Sequence, residues 1–203
     1  MEEEWRQLAR MVPGTLMGIC FDATVQLART VQAAQNKLAV DILLERMLVT
    51  GVPLPAAPPD LHPVGRRPGE VLEAARQSLR RLMEFHAAAG YLFDLYAAHR
   101  GGLPEAGDPL WQLWEGHRAE VLNRAAVAAE RLRAAAAHAK AADDALGMFG
   151  DSPPGTTAWA AASLEHNRQA FWEATTAVVT VSNLCSAVEM EFADAWAIIL
   201  SHG

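Results

Sequence analysis

The chain is poor in the residue patterns from which active sites are commonly built. It has only two cysteines, Cys20 and Cys185, among 203 residues. Both fall within helical patterns, so they read as small buried apolar residues of a reducing compartment rather than a disulfide framework. Val181 and Val188 flank Cys185 at helical spacing, which is expected to raise its pKa and keep it unreactive. There is no Gly-x-Ser-x-Gly elbow, no Cys-x-x-Cys, no Gly-x-Gly-x-x-Gly and no Walker-type loop. The usual nucleophile, dithiol and phosphate-cradling arrangements are thereby removed. Basic charge is scarce where acid is plentiful: residues 147–203 carry six acidic residues and one basic residue, Arg168, within a chain of net charge −7. Such a surface repels phosphate backbones and anionic lipid heads, so no nucleic-acid partner is expected. No apolar run approaches the roughly 20 residues of a bilayer span. The acidic start Met1-Glu2-Glu3-Glu4-Trp5 is unlike the positive n-region of a secretory leader. The expectation is a cytoplasmic protein with no transmembrane segment.

Seven histidines raise the question of a metal. Di-iron bundles place Glu-x-x-His on two helices so that both ligands share an inner face. Here the residues three before His86, His99, His117, His138 and His166 are Met83, Tyr96, Trp114, Ala135 and Ser163, none a carboxylate. His86 occupies a seam position and reads as a satisfied core imidazole. No catalytic, cofactor-binding or metal residue is assigned, and the chain is read as a non-enzyme.

What is present is helix. About half the residues are apolar, alanine leads them, and β-branched residues are sparse before the final segment, a composition that favours helix throughout. All eleven prolines lie outside the strongest helical patterns and punctuate the chain. A short amphipathic start, Glu2 to Met11, is expected to end at Val12-Pro13-Gly14. A helix over about 15–50 follows, with Leu27, Val31, Ala34, Leu38 and Ile42 on one face. A Pro-rich connector spans 51–68. The second helix, about 69–100, has the seam Leu72, Ala75, Leu79, Leu82, His86, Ala89, Phe93 and Tyr96, and stops at Gly101-Gly102. The third, about 109–146, starts from Asp108 as N-cap. Its seam is Trp111, Trp114, Arg118, Val121, Ala125, Ala128, Leu132, Ala135, Ala139, Ala142 and Leu146. Gly147 is expected to end it in a left-handed conformation.

The final helix, about 156–201, has the longest seam: Leu164, Asn167, Phe171, Ala174, Val178, Val181, Cys185, Val188, Phe192, Ala195 and Ile199. Steps of three and four averaging about 3.5 residues keep one line of side chains facing a partner helix. That partner comes from this chain or from another copy, so the seam residues serve a core or an oligomer. Two polar residues interrupt the seams. Arg118 is read as lying near a wet helix end, whereas Asn167 is either another wet end or a register-fixing residue. Trp172, Val179 and Leu200 fall on one shoulder of the final seam and Trp196 on the other. The apolar face is therefore wider than a two-helix seam needs: either the helix is buried in the middle of a bundle, or these four residues contact an apolar partner. The expected fold is all-α, one domain over 1–203: an antiparallel helical bundle or coiled coil that forms a homo-oligomer.

From about Ala119 to Trp196 the sequence resembles the phasins, small helical proteins that coat polyhydroxyalkanoate granules in bacteria. The resemblance lies in an Ala-rich helix, Ala125 to Ala142, then the break Gly150-Asp151-Ser152-Pro153-Pro154-Gly155. The closing helix follows with Ala160-Ala161-Ala162-Ser163-Leu164, Asn167 and Ala170-Phe171-Trp172-Glu173-Ala174-Thr175. Tyr91, Phe93 and Tyr96 are similar to a Tyr-containing helix of that family. The resemblance implies a non-catalytic protein at the surface of a hydrophobic polyester granule, shielding the polymer from water. The other expected partner class is a second helical protein, for which this chain would act as an adaptor or chaperone-like module.

Overall fold

The computed structural model describes residues 2–51, 68–99, 108–148 and 157–201. It shows an all-α fold of four helices: α1 (Glu2–Thr50), α2 (Pro68–His99), α3 (Pro109–Gly147) and α4 (Ala158–Ser201). No strand occurs among the described residues. Most of the connector at 52–67, Gly101-Gly102 and the Gly150–Gly155 break lie outside them, as do the side chains of Tyr96 and Leu200.

Local chemistry accounts for the ends that are seen. The Asp108 carboxylate accepts a hydrogen bond from the Leu110 amide at 2.8 Å, and its carbonyl accepts one from the Gln112 amide. Pro109 fills the first turn, where no donor is needed. The Thr157 carbonyl receives the Ala160 and Ala161 amides at the start of α4. Gly51, with φ of 65°, provides the left-handed residue after α1, a position that suits glycine because it has no Cβ to clash. Gly147 is instead the helical last residue of α3, and Gly51 is the one positive-φ residue among those described.

One expected boundary is overturned. Residues 2–50 form a single helix with Pro13 inside it, not two segments broken at Val12-Pro13-Gly14. Proline removes one backbone donor and crowds the carbonyl four residues back, costing about 3 kcal/mol in a helix interior. Pro13 and Gly14 are both exposed.

The chain divides into two compact units, each with a segment of all four helices. The first comprises Met1–Val25, Gln77–Ala128 and Val179–Gly203; the second, Gln26–Arg76 and Ala129–Val178. The first unit buries Leu16, Cys20 and Ala23 of α1, Leu79 and Leu82 of α2, Val121 of α3, and Val181, Leu184 and Val188 of α4. Phe93, Trp111, Trp114, Ala195 and Ile198 make an aromatic cluster in it. The Phe93 and Trp114 ring centroids lie 4.8 Å apart and those of Trp111 and Trp114 4.6 Å apart, within the range of favourable tilted pairs. The Arg118 side chain is 38 % exposed, in keeping with a wet seam position, and its guanidinium lies 4.9 Å from the Trp114 ring centre and 3.7 Å from an Asp94 carboxylate oxygen. The second unit is built from smaller side chains, with Ala75, Ala135, Ala142, Ala170, Ala174 and Ala177 around Leu27 and Leu132.

The seams of α2 and α3 follow the expected spacing, and α4 departs from it in an ordered way. Ala174, Val181, Val188 and Ala195 are buried as expected, as are Leu164 and Cys185, and Asn167, left open between a wet end and the core, is buried too. The other half of the line runs one residue earlier, through Ser163, Ala170, Ala177, Leu184, Glu191 and Ile198. Phe171, Val178, Phe192 and Ile199 are only half-buried. A tightly packed interior selects small side chains at the point of closest approach, so the bulky members of the expected seam stand to one side. In α1 the buried line is Leu16, Cys20, Ala23, Leu27, Thr30 and Asp41. Of the face expected there, Leu27 is buried, Val31, Ala34 and Leu38 are half-buried, and Ile42 is 41 % exposed.

Candidate functional site

The four residues proposed to meet an apolar partner differ in position. Trp172, in the second unit, is 65 % exposed, and Val179, in the first, is 57 % exposed. Trp196 is half-buried, and the Leu200 side chain lies outside the described residues. Exposed apolar side chains occur on α1 as well, and of the face read there as core only Ile42 is among them. Met11, Met17 and Phe21 are exposed in the first unit, and Ile42, Leu43 and Val49 in the second. Gly14 and Gly18 share the Met17–Phe21 face at helical spacing, and nothing lies within 4 Å of where their Cβ atoms would be.

The polar chemistry is inside. In the second unit the Asp41 carboxylate Oδ2 accepts from the Ser163 hydroxyl at 2.8 Å and from the Asn167 Nδ2 amide at 2.5 Å, and all three residues are buried. Asn167 is therefore no wet end; it is a donor to a buried carboxylate on another helix. Nearby, the Thr30 hydroxyl donates to the Gln26 carbonyl at 2.9 Å, with the Val71 carbonyl at 3.4 Å. A small cleft touches Thr30, Lys37 and Asn167 among alanines; it has room for about one water. In the first unit His86 Nε2 donates to Glu191 Oε2 at 2.5 Å, with both residues buried and Phe85 and Phe192 beside them. His117 Nδ1 makes a similar bond to Asp194 Oδ2 at 2.5 Å in a half-buried setting. His86 is a satisfied core imidazole, as its seam position suggested, but its partner is a carboxylate that the sequence placed on the acidic surface. Three of the six acidic residues after 147 are thus occupied internally: Glu191 with His86, Asp194 with His117, and Glu173 with Arg131 at 3.0 Å.

The two cysteines also meet. Cys20 of α1 and Cys185 of α4 are both buried and free, and their thiols are within hydrogen-bonding reach. Cys20 keeps its proton: the bond to Cys185, then burial, then the charges of Cys185 and Glu189, push its thiol far above the ordinary value. The same bond lowers the pKa of Cys185, against the opposing effects of burial and Glu189. The burial to which the flanking valines belong does raise the Cys185 thiol, but the bond from Cys20 outweighs it.

No group of three or more His, Cys, Asp or Glu residues able to hold a metal occurs among the described residues. By length and composition, α1 from Met11 to Thr50 could cross a membrane, where the sequence suggested no such segment. A core helix or an N-terminal leader meets the same description, so this fixes no location. No family model, curated protein or solved structure matches the chain.

Proposed function

We propose that this chain is a non-catalytic, phasin-like coat protein that adsorbs to hydrophobic polyester granules through apolar residues on the outside of its helices. The observation that carries the reading is Trp172, an indole 65 % exposed on a helix whose buried line is mostly alanine and other small residues. The exposure of Val179, Met17 and Phe21 supports it. Moving such a side chain fully from water to an apolar surface gains about 1.5–3 kcal/mol, so a few suffice for tight adsorption. The seams themselves are filled by the chain's own helices, so adsorption and any self-association use outer faces. The net charge of −7 opposes coalescence of coated particles, though Glu173, Glu191 and Asp194 contribute less because each is paired.

The test is sedimentation with polyhydroxybutyrate particles at several surface areas. Wild-type binding is expected to saturate in proportion to area. The double variant W172E/V179E is expected to lose most of it at unchanged helix content. Equal binding by the variant, or none by the wild type, overturns the reading. Trp196 is left out of the variant because it is half-buried and its loss would also disturb packing.

A second reading, the helical adaptor, is favoured by the open Gly14-x-x-x-Gly18 notch beside Met17 and Phe21, where another protein's helix could approach closely. It predicts a fixed stoichiometry with one partner rather than area-limited binding.

A further inference from the structure

The histidines with described side chains are of two kinds. His86 and His117 are each bonded to a carboxylate, Glu191 and Asp194 respectively. His138 of α3 and His166 of α4 make no hydrogen bond or ion pair with any described residue; each has the other ring as its neighbour, with ring centres 5.8 Å apart in the second unit. Both are half-buried. No buried polar side-chain atom among the described residues lacks a partner, so the ring nitrogens of this pair reach solvent. The space along their own helices is open. The residues three and four away from His138, in both directions, are alanine; those around His166 are alanine or serine except Gln169, whose amide donates to Glu165.

We propose that His138 and His166 form a binding site for one divalent transition-metal ion of the nickel and zinc class, bridging α3 and α4, with solvent filling the remaining coordination positions. An imidazole nitrogen binds such an ion at about 2.0–2.1 Å, which places the ring centre about 3.2 Å from the metal. Two rings at a tetrahedral angle then have centres about 5.2 Å apart, against 5.8 Å here. Small side-chain rotations close that difference, because the outer torsion of histidine is broad. Two neutral imidazoles select against magnesium and calcium, which take oxygen ligands, and suit nickel, copper and zinc. The arginines on these helix stretches that could repel a cation are themselves paired, Arg131 with Glu173 and Arg168 with Glu165. Lys140 is two positions from His138, so it lies on a different side of α3. A metal held this way binds the folded arrangement of α3 and α4 and stabilises it by mass action. None of the adsorbing residues takes part, so the site stands apart from the coating reading.

The experiment titrates the full-length chain with nickel chloride and with zinc chloride, followed by calorimetry and by thermal unfolding. One ion per chain is expected, with an unfolding midpoint that climbs as metal is added; magnesium chloride should produce neither effect. H138A and H166A should each weaken binding by about tenfold or more, a loss no smaller than that caused by removing an outer-shell partner, at unchanged circular dichroism. The triple variant H62A/H99A/H202A should bind as the wild type does. A second measurement needs no variant: substoichiometric paramagnetic nickel should broaden the assigned ring signals of His138 and His166 in the wild type and spare those of His86 and His117. Absence of binding by both ions, full binding in both single variants, loss of binding in the triple variant, or broadening centred on other histidines would each overturn the proposal.

Discussion

Replacing His86 by leucine tests whether the core of the first unit depends on an ionic hydrogen bond. The His86 and Glu191 side chains retain 7 % and 5 % of their exposure and are 2.5 Å apart. Leucine at position 86 fills much of the imidazole volume but leaves the Glu191 carboxylate buried with no donor from α2. Breaking a buried pair from one side costs about 3–5 kcal/mol, a large part of the 5–15 kcal/mol that typically holds a domain together. Removing both partners has a different outcome. In the H86L/E191L double variant two apolar side chains meet, and such replacements range from neutral to a gain of about 1–4 kcal/mol. The assay is urea unfolding followed by circular dichroism, with the four proteins arranged as a double-mutant cycle. The expected signature is two destabilised single variants and a double variant restored to wild-type stability or better. The reasoning fails if H86L loses under 1 kcal/mol, or if the double variant loses about the sum of the two singles.

Other perturbations follow from the same packing. Asp41→Ala strands the Ser163 and Asn167 donors in the second unit, and the expected loss is about 2–4 kcal/mol by urea titration. Gly116 is an exposed interior residue of α3 with open space around its Cβ position. Gly116→Ala should therefore stabilise by about 1 kcal/mol, read as a higher unfolding midpoint.

The parts of the fold legible in sequence are those where large apolar residues carry the pattern. Leu72, Leu79, Leu82 and Phe93 in α2, and Trp111, Trp114, Val121 and Leu132 in α3, lie where a spacing of three and four puts them. In α1 the pattern is mixed. Leu16 and Leu27 lie on its buried line, but cysteine, alanine, threonine and aspartate make up the rest while Met17, Phe21 and Val49 face out, so large apolar residues alone do not mark its inner face. In α4 the two alternatives differ by one residue, and Phe171 against Ala170 cannot be resolved without knowing how near the next helix comes. The candidate surface residues divide in the same way. Shoulder positions are compatible with either burial in a bundle or exposure, and the structure exposes Trp172 and Val179 while leaving Trp196 half-buried. The polar contacts had no local sign at all. Asp41 with Asn167, His86 with Glu191 and Cys20 with Cys185 each join separate helices, and nothing within either helix names the partner. Glu191 was least visible, because an acidic residue among others on one helix looks like part of a solvated face.

The buried line of these helices also limits how the molecule can spread on an oily surface. A chain that opened and laid its inner faces on polyester would press Asp41, Asn167, His86 and Glu191 against a material that can offer them no ion partner and few hydrogen bonds. Each would exchange a satisfied contact for a nearly dry one. The outer residues carry no such penalty. A coat made from this chain would therefore be a layer of folded particles, closer to a Pickering emulsion than to a detergent film, and dilution should return intact protein to solution.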